Sequence, residues 1–226
     1  YKPTRTGHPR GCGQMAIDKN RENTVPGSAP SEAFEWAAYN RPCLGDRVSG
    51  DVAIVVTMDA KLLVVLIDVL GHGADANGLA TEMADYVSKH PVAVPSNMIK
   101  NLHEAFKGSR GAVAGCAVLD TRTHAVVFAG VGNPNFRILS RSKSVTFPVS
   151  TGIIGKEIRT PKEHKAQLLE RDLLIACSDG VAENFQVTDY PQIFSHGVQS
   201  IVRSVVRRFG KGYDDASCIV VRRPKS

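Results

Sequence analysis

Residues 62–73 read LLVVLIDVLGHG: six apolar residues, a carboxylate, and a histidine between two glycines. The apolar run is short and rich in Leu, Val and Ile, which predicts a strand that is buried on both faces. Asp68 would then place a charge at the end of a buried strand, which costs several kcal/mol, roughly, unless something neutralises it. No Lys or Arg occurs in the next fifteen residues. A bound cation is therefore the expected partner of Asp68.

The bulk composition fits a globular chain. Its 226 residues, 42% of them hydrophobic, suffice for one large domain or at most two small ones. The formal net charge of +6 permits an acidic partner, but no nucleic-acid-binding motif accompanies it. No apolar run reaches the roughly 18 residues of a membrane span, and no apolar signal segment occurs. We expect a monomeric cytoplasmic protein that binds neither nucleic acid nor membrane.

The cysteines do not form a recognisable framework. Their number is odd and no CxxC pair occurs, which argues against disulfides and against a zinc site. Cys116, Cys177 and Cys218 lie in apolar, strand-like runs. Buried, reduced cysteines of a cytosolic protein are the preferred interpretation.

Hydrophobic periodicity predicts a mixture of strands and helices. Apolar runs bounded by turn residues predict strands at residues 34–39, 52–58, 62–68, 112–120, 124–131, 136–140, 145–147, 167–169, 172–178 and 217–222. Apolar residues at three- and four-residue spacing predict helices at residues 74–88, 96–106, 192–194 and 198–209. Ser96 is the expected N-cap of the second helix.

Short turns predict which strands pair. A hairpin is expected between residues 52–58 and 62–68, and another between residues 167–169 and 172–178. Residues 148–163 are rich in Gly and Pro and predict a loop.

The chain divides into a short N-terminal segment and one domain. Residues 1–31 are polar and predict a loosely ordered arm or an edge segment, and residues 32–226 form the expected domain. Consecutive strands joined by hairpins, with helices inserted in pairs, predict an α+β sandwich. In it, two antiparallel sheets are stacked and the helices lie outside.

Four carboxylates occupy one kind of position. Asp51 opens a predicted strand, Asp68 and Asp179 each close one, and Asp214 precedes the last, with Asp215 beside it. In antiparallel neighbours the end of one strand lies beside the start of the next, so the four could converge at one edge. Each alone could be a turn or cap residue. Their recurrence at strand ends favours a shared site.

A site of four carboxylates favours particular chemistry. Oxygen-only ligands suit hard cations such as Mg²⁺ and Mn²⁺. Two such ions about 3.5–4 Å apart can hold and activate a water for in-line attack on phosphorus. Phosphate monoesters are among the slowest molecules to hydrolyse unaided, so a two-metal site is a sensible catalyst for them.

The motifs around these carboxylates resemble those of the PP2C-type metal-dependent protein phosphatases. The similar segments, in order, are SGD at 49–51, DVLGHG at 68–73, SDG at 178–180 and DDAS at 214–217. They are most similar to the bacterial branch that includes SpoIIE and the sigma-factor regulators. The turn GVGNP at 130–134 resembles the stand-alone, RsbX-like stressosome phosphatases of that branch.

This resemblance implies a fold and a ligand set. The fold would be an αββα sandwich, and the cofactor two Mn²⁺ or Mg²⁺ ions. Asp68 would bridge the two ions, and the main-chain carbonyl of Val69 would bind one of them. Asp179 and Asp214 would hold the other, and Asp51 would act directly or through coordinated water.

The resemblance also implies an activity. It predicts a serine/threonine protein phosphatase that works by direct attack of metal-bound water. Its substrates would be phosphorylated STAS-domain proteins of a bacterial stressosome or sigma-factor pathway. No cysteine lies in a C-x₅-R loop, which argues against a cysteine-dependent phosphatase. The alternative is a non-catalytic module that keeps the fold and only docks to a signalling complex.

His72 admits two interpretations. It could protonate the leaving serine or threonine oxygen, because its reference pKa lies near neutrality. It could equally be a structural residue at the helix start. Gly71 and Gly73 on either side let the backbone leave the strand tightly.

The positive residues give weaker signals. No residue clearly matches the phosphate-binding arginine of the eukaryotic relatives, and Arg41 and Arg47 are candidates. No extra acidic ligand for a third metal stands out. Solvated faces are the preferred interpretation of the basic stretches, and docking of an acidic partner is the second. These stretches comprise Arg203, Arg207, Arg208, Lys211, Arg222, Arg223 and Lys225.

Overall fold

Residues 16–17, 24–28, 33–140 and 144–225 are described by the structure, a computed structural model. In chain order the strands are β1 (Ala16–Ile17), β2 (Thr24–Ser28), β3 (Glu35–Arg41), β4 (Asp51–Met58), β5 (Lys61–Val69), β6 (Ala112–Asp120), β7 (Ala125–Val131), β8 (Asn135–Leu139), β9 (Val145–Thr146), β10 (Gly152–Ile153), β11 (Glu157–Ile158), β12 (His164–Gln167), β13 (Leu173–Cys177) and β14 (Ala216–Arg222). The helices are α1 (Gly73–Lys89), α2 (Pro95–Ala105), α3 (Pro191–Phe194) and α4 (Val198–Phe209).

The strands form two six-stranded antiparallel sheets. The first has the order β1-β4-β5-β6-β7-β12 and the second β2-β3-β14-β13-β8-β9. One hydrophobic layer lies between the sheets; α1 and α2 pack on the outer face of the first sheet, and α3 and α4 on that of the second. The predicted α+β sandwich with helices outside, in αββα order, is confirmed.

β5 explains why the apolar run is continuous. Its alternate side chains belong to two different layers, as expected for a strand covered on both faces. The layer between the sheets receives Leu62, Val64 and Leu66. The layer beneath α1 and α2 receives Leu63, Val65 and Ile67. All six are at most 1% exposed, so neither face tolerates a polar residue until Asp68.

Aromatic rings help to set the spacing of the two sheets. Phe128 of the first sheet lies with its ring centroid 4.8 Å from that of Phe136 of the second, and 5.1 Å from that of Phe147. The Phe136 ring occupies the space above Gly115 on β6, where an added Cβ would lie 2.3 Å from the ring. Close packing of these rings therefore sets the distance between the two sheets at their centre.

The helices bury the stripes that the periodicity predicts. α1 buries Ala76, Ala80, Met83, Ala84 and Val87. α4 buries Val198, Ile201, Val202, Val205 and Val206, and leaves Arg203, Arg207 and Arg208 exposed. These three arginines are therefore exposed in the folded chain, and whether they are only solvated or dock an acidic partner stays a prediction.

The predicted hairpin between residues 167–169 and 172–178 is wrong. Asp172 does close a turn, donating its N–H to the carbonyl of Leu169 at 3.0 Å. The segments on either side nevertheless belong to different sheets, because β12 pairs with β7 whereas β13 pairs with β8 and β14. The fully buried Leu168 lies in the layer between the sheets, where the chain crosses from one to the other.

Two smaller expectations also differ. Residues 148–163, predicted as loop, contain the β10–β11 hairpin, which packs beside β6 through Ala112 and Ile154. Ser96 is not the N-cap of α2, since Val94 holds that position and Pro95 begins the helix. The hydroxyl and N–H of Ser96 instead bond Glu163, at 2.8 and 3.2 Å.

The predicted N-terminal arm, residues 1–31, lies mostly outside the described residues. Its described parts, β1 and β2, are edge strands of the first and second sheets. Within the described ranges, no helix has the length and apolarity needed to cross a membrane.

Candidate active site

Two carboxylates face each other in the first sheet. Asp51 begins β4, Asp68 is next to last in β5, and the antiparallel register pairs the two directly. Asp51 is only 3% exposed. Like charges directly opposite each other destabilise a sheet. This pair therefore needs bound protons or a cation between its members.

The second sheet contributes two more carboxylates. Asp179 follows the end of β13 and Asp214 precedes the start of β14, and these strands are antiparallel neighbours. The side chain of Asn133 donates to Asp179 Oδ2 at 2.8 Å, and Lys211 Nζ donates to the Asp179 main-chain carbonyl at 2.6 Å. Asp179 is thus held from both sides.

Asp215 connects the two halves of the site. Its carboxylate is buried and accepts the backbone N–H groups of Cys43, at 2.7 Å, and Gly50, at 2.6 Å. Asn40 of β3 adds a bond to the main-chain carbonyl of Asp51 at 2.9 Å. Hydrogen bonds from the second sheet therefore fix the start of β4, and Asp215 positions the site rather than facing it.

The carboxylates perturb one another. Burial raises the pKa of Asp68, and the charges of Asp51, Asp179 and Asp214 raise it further. Burial also raises the pKa of Asp214, with Asp179 the next largest cause. The four predicted residues therefore share one electrostatic environment although they come from two sheets.

Asp51 is the most enclosed of the four. Burial raises its pKa, and the charges of Asp215 and Asp179 add to the rise. The hydroxyls of Ser178 and Ser217 lie close enough to oppose it. Even so, Asp51 Oδ2 is buried and has no hydrogen-bond partner in the described part of the chain.

This donor set fits a hard cation. A buried carboxylate oxygen without a partner carries a large desolvation cost, and a cation would remove it. The surrounding donors are oxygens, as Mg²⁺ and Mn²⁺ prefer. Among the described residues, no group of three or more His, Cys, Asp or Glu side chains is already spaced to hold a metal ion.

Glycines allow the loop after β5 to pack closely beside the candidate site. Gly71 and Gly73 have φ of +86° and +77°, which L side chains rarely adopt. An added Cβ on Gly50 would lie 2.8 Å from the Cβ of Ala76 and 3.0 Å from the carbonyl oxygen of Gly71. The start of α1 and the DVLGHG loop are therefore packed directly against the start of β4.

His72 lies at the rim. It is the N-cap of α1 but makes no side-chain cap bond. Its ring is exposed, and Nδ1 lies 2.6 Å from Oδ2 of Asp46. Asp46 therefore orients the imidazole and leaves Nε2 as the nitrogen available for proton transfer. A catalytic role for His72 stays a prediction.

The two candidate phosphate-binding arginines differ. Arg41 donates through Nη2 to the carbonyl of Lys211, and its buried Nε has no partner among the described residues. Arg47 is exposed. Arg41 is thus committed to holding the segment that carries Lys211.

Four residues at the site escaped prediction or were assigned elsewhere. Asp46 belongs to no motif, and the sequence pattern marks Asp215 only as the neighbour of Asp214. Lys211 lies in a basic stretch for which the sequence favours a solvated face. Asn133 was the one with a usable signal, because it belongs to the GVGNP turn.

The raised pKa values predict how pH acts on the metal-free protein. The folded chain binds protons at Asp51, Asp68 and Asp214 more tightly than the unfolded chain does. Stability therefore falls as pH rises above the ordinary aspartate range, by up to about 1.4 kcal/mol per pH unit for each of the buried Asp51 and Asp68, and by less for the partly exposed Asp214, whose charge solvent screens. Bound Mg²⁺ should offset this loss, so its stabilising effect should grow with pH.

Thermal unfolding with EDTA or Mg²⁺ across a pH series checks this expectation. The melting temperature in EDTA should fall from about pH 5 to about pH 9, and Mg²⁺ should largely remove the fall. A Mg²⁺-induced shift that is the same at both pH values would contradict it.

Comparison with known proteins agrees with this architecture. A structure from work on the bacterial stressosome as a modular system adapted to control secondary messenger signalling matches with a TM-score of 0.77 and 26% identity, over 84% of this chain and 99% of that one. RsbX in complex with magnesium matches with a TM-score of 0.72 and 23% identity, over 87% and 98%. The PP2C phosphatase domain of SpoIIE from Bacillus subtilis, with a fragment of its regulatory domain, matches with a TM-score of 0.68 and 20% identity, over 89% and 72%.

The fold is therefore that of the PP2C-type phosphatase domains. The sequence profile described as Stage II sporulation protein E (SpoIIE) matches residues 58–224, well over half of the chain. The chain belongs to the SpoIIE family. Among curated protein sequences, none matches it.

Proposed function

We propose that the chain is a metal-dependent serine/threonine protein phosphatase that uses two Mg²⁺ or Mn²⁺ ions. The observation that carries this proposal is the buried Oδ2 of Asp51, which lies directly opposite Asp68 and has no hydrogen-bond partner among the described residues. The second sheet adds Asp179 and Asp214 to the same electrostatic environment. An inert fold would gain nothing from carboxylates placed so that burial and neighbouring charges raise the pKa of Asp51, Asp68 and Asp214.

Different residues of the chain would bind the metal ions, align the site and transfer the proton. Asp51, Asp68, Asp179, Asp214 and the main-chain carbonyl of Val69 would hold the ions. Bound in that set, the ions supply positive charge for the phosphoryl group and acidify water. Asp215 keeps the two sheets' contributions aligned through its bonds to Cys43 and Gly50. Asp46 holds the ring of His72, whose Nε2 would protonate the leaving oxygen.

The cysteines that the structure describes fit this mechanism, and none of them fits a thiol-based one. The four described cysteines are all buried and unpaired. Burial raises the pKa of Cys43, Cys116 and Cys218, which keeps these thiols protonated. A buried neutral thiol is a poor nucleophile, and unpaired thiols suit a cytoplasmic enzyme.

The substrates that we propose are phosphorylated STAS-domain proteins of a stressosome-like or sigma-factor pathway. Two observations support this choice. One matching structure comes from work on the bacterial stressosome, with 26% identity over 84% of the chain. The GVGNP turn, which resembles that of the stand-alone phosphatases, supplies Asn133 to Asp179. We propose that the enzyme acts as a monomer, without nucleic acid or membrane.

Hydrolysis of p-nitrophenyl phosphate and of a phosphoserine-bearing STAS domain tests the proposal. We expect turnover that requires Mn²⁺ or Mg²⁺ and stops in EDTA, because the candidate ligands alone offer no positive charge to the phosphate. Release of phosphate from the phosphoprotein should return on adding metal back.

Two results would count against the proposal. An absence of metal-dependent turnover of both substrates would favour a non-catalytic docking module. Turnover of p-nitrophenyl phosphate without turnover of the STAS phosphoprotein would keep the phosphatase and remove the proposed substrate.

A further inference from the structure

Arg110 is an exposed cation beside the candidate site, and no hydrogen bond or ion pair joins its side chain to the described residues. It lies just ahead of β6, whose first residue, Ala112, pairs with Val69. The carbonyl of Gly111 accepts the N–H of Leu70 at 3.0 Å. The backbone of Arg110 thus runs beside the segment that follows the candidate ligands.

The guanidinium of Arg110 extends over the DVLGHG loop. Its Nη2 lies 3.6 Å, and its Nη1 3.8 Å, from the point where a Cβ on Gly71 would be. The carbonyl oxygen of Gly71 lies in turn 3.0 Å from the corresponding point on Gly50, the residue before Asp51. The Gly71 peptide therefore stands between Arg110 and the start of β4.

The backbone that carries Arg110 is held on its other side by the β10–β11 hairpin. Gly108 donates to the carbonyl of Gly155 at 2.9 Å, and Ala112 and Ile154 exchange bonds of 3.2 and 2.8 Å. An added Cβ on Gly111 would lie 2.6 Å from Ile153, so this contact is already close. The backbone of Arg110 is therefore anchored, while its exposed side chain is left able to move.

A phosphate monoester approaching four carboxylates needs positive charge from the protein as well as from any ion. A guanidinium suits this task, because its planar fork bonds two phosphoryl oxygens at once. Arg41 is already bonded to the carbonyl of Lys211. Lys211 is already bonded to the carbonyl of Asp179. Arg110 has no such commitment.

We propose that Arg110 binds the phosphoryl oxygens of the substrate. This inference rests on the proposed phosphatase function. In the bound state the guanidinium would swing from the Gly71 peptide to the phosphoryl group and hold it at the rim.

Three variants test this assignment: Arg110→Ala, Arg110→Lys, and Arg122→Ala as the matched control. Arg122 is also exposed but follows the far end of β6, nine residues of strand away from the site. Calorimetric titration of the Mg²⁺-loaded proteins with inorganic phosphate should show about tenfold weaker binding for Arg110→Ala and an intermediate loss for Arg110→Lys. The KM for p-nitrophenyl phosphate should rise by a similar factor. Arg122→Ala should match wild type, and Mg²⁺ should stabilise all variants equally.

Each other outcome has a distinct meaning. Wild-type phosphate affinity in Arg110→Ala would overturn the inference. So would a KM that rises only for the phosphoprotein, because Arg110 would then contact the polypeptide rather than the phosphoryl group. An inactive wild-type protein would remove the proposed function and this inference with it, whereas an active wild type with an unaffected Arg110→Ala variant would remove the inference alone.

Discussion

Asp68→Asn is expected to lower kcat at saturating Mn²⁺ by at least about 100-fold, because a metal contributes several kcal/mol to the transition state. Asp179→Asn should have an effect of the same order. Asp68 lies opposite Asp51 in the first sheet, and Asp179 belongs to the second sheet. No neighbouring side chain can therefore replace the carboxylate that either substitution removes. The measurement is phosphate release from p-nitrophenyl phosphate over a range of Mn²⁺ concentrations.

A loss of folding would not explain the expected result for Asp68→Asn. Burial and the nearby charges raise the pKa of Asp68, so its ionised form destabilises the metal-free protein. The variant should therefore melt in EDTA at the same temperature as wild type or higher, with the gain growing at high pH. Asp120→Asn, at the far end of β6 in a turn, is the control and should keep the wild-type rate. Wild-type kcat in either site variant at saturating metal would show that the ligand assignment is wrong.

Gly180→Ala is expected to disrupt the site and the fold together. A Cβ on residue 180 would lie 1.7 Å from the carbonyl oxygen of Asp215 and 2.8 Å from its carbonyl carbon. Both atoms are backbone, so β14 must move away from the end of β13. Overpacking of this kind costs about 1–3 kcal/mol and occasionally more. The shift would separate Asp179 from Asp214, so activity should fall even under conditions in which the variant remains folded.

Gly78→Ala is the matched control for this substitution. Gly78 lies on the exposed face of α1, where an added Cβ would meet nothing within 4 Å. An alanine in a helix is about 0.5–1 kcal/mol more stable than a glycine, so the control should be slightly stabilised and fully active. Urea unfolding and kcat measured on both variants make the comparison. A Gly180→Ala variant with wild-type stability and rate would contradict the packing described above.

The sequence predicted the structure best where the periodicity of apolar residues matches the faces that the strand or helix buries. The run 62–67 predicted a strand covered on both faces, and β5 divides its side chains between two hydrophobic layers. The stripe of small and apolar residues after Gly73 predicted α1, since a helix of that pattern has one face to bury. The position of Asp51 and Asp68 at neighbouring strand ends predicted that these two meet at one edge, and the register of β4 and β5 pairs them directly.

The failures have a different physical origin. The turn before β13 has the local sequence of a hairpin. The chain nevertheless passes from one sheet to the other there, because Leu168 is buried in the hydrophobic layer between the sheets. The pairing of Asp46 with His72, and that of Asp215 with Gly50, join residues far apart in the chain through single hydrogen bonds. Such contacts depend on tertiary geometry, and no local pattern encodes them.

The packing of Phe136 over Gly115 also bears on how mutational data on this protein should be interpreted. The candidate ligands belong to two separate sheets. The distances between the ligands therefore depend on how closely the two sheets approach each other at their centre. A larger residue at position 115, or a smaller one at position 136, would shift one pair of carboxylates relative to the other without touching any ligand. An activity screen would then score core positions as if they belonged to the catalytic centre. Rate and melting temperature measured side by side would separate such alignment residues from those that hold the cations.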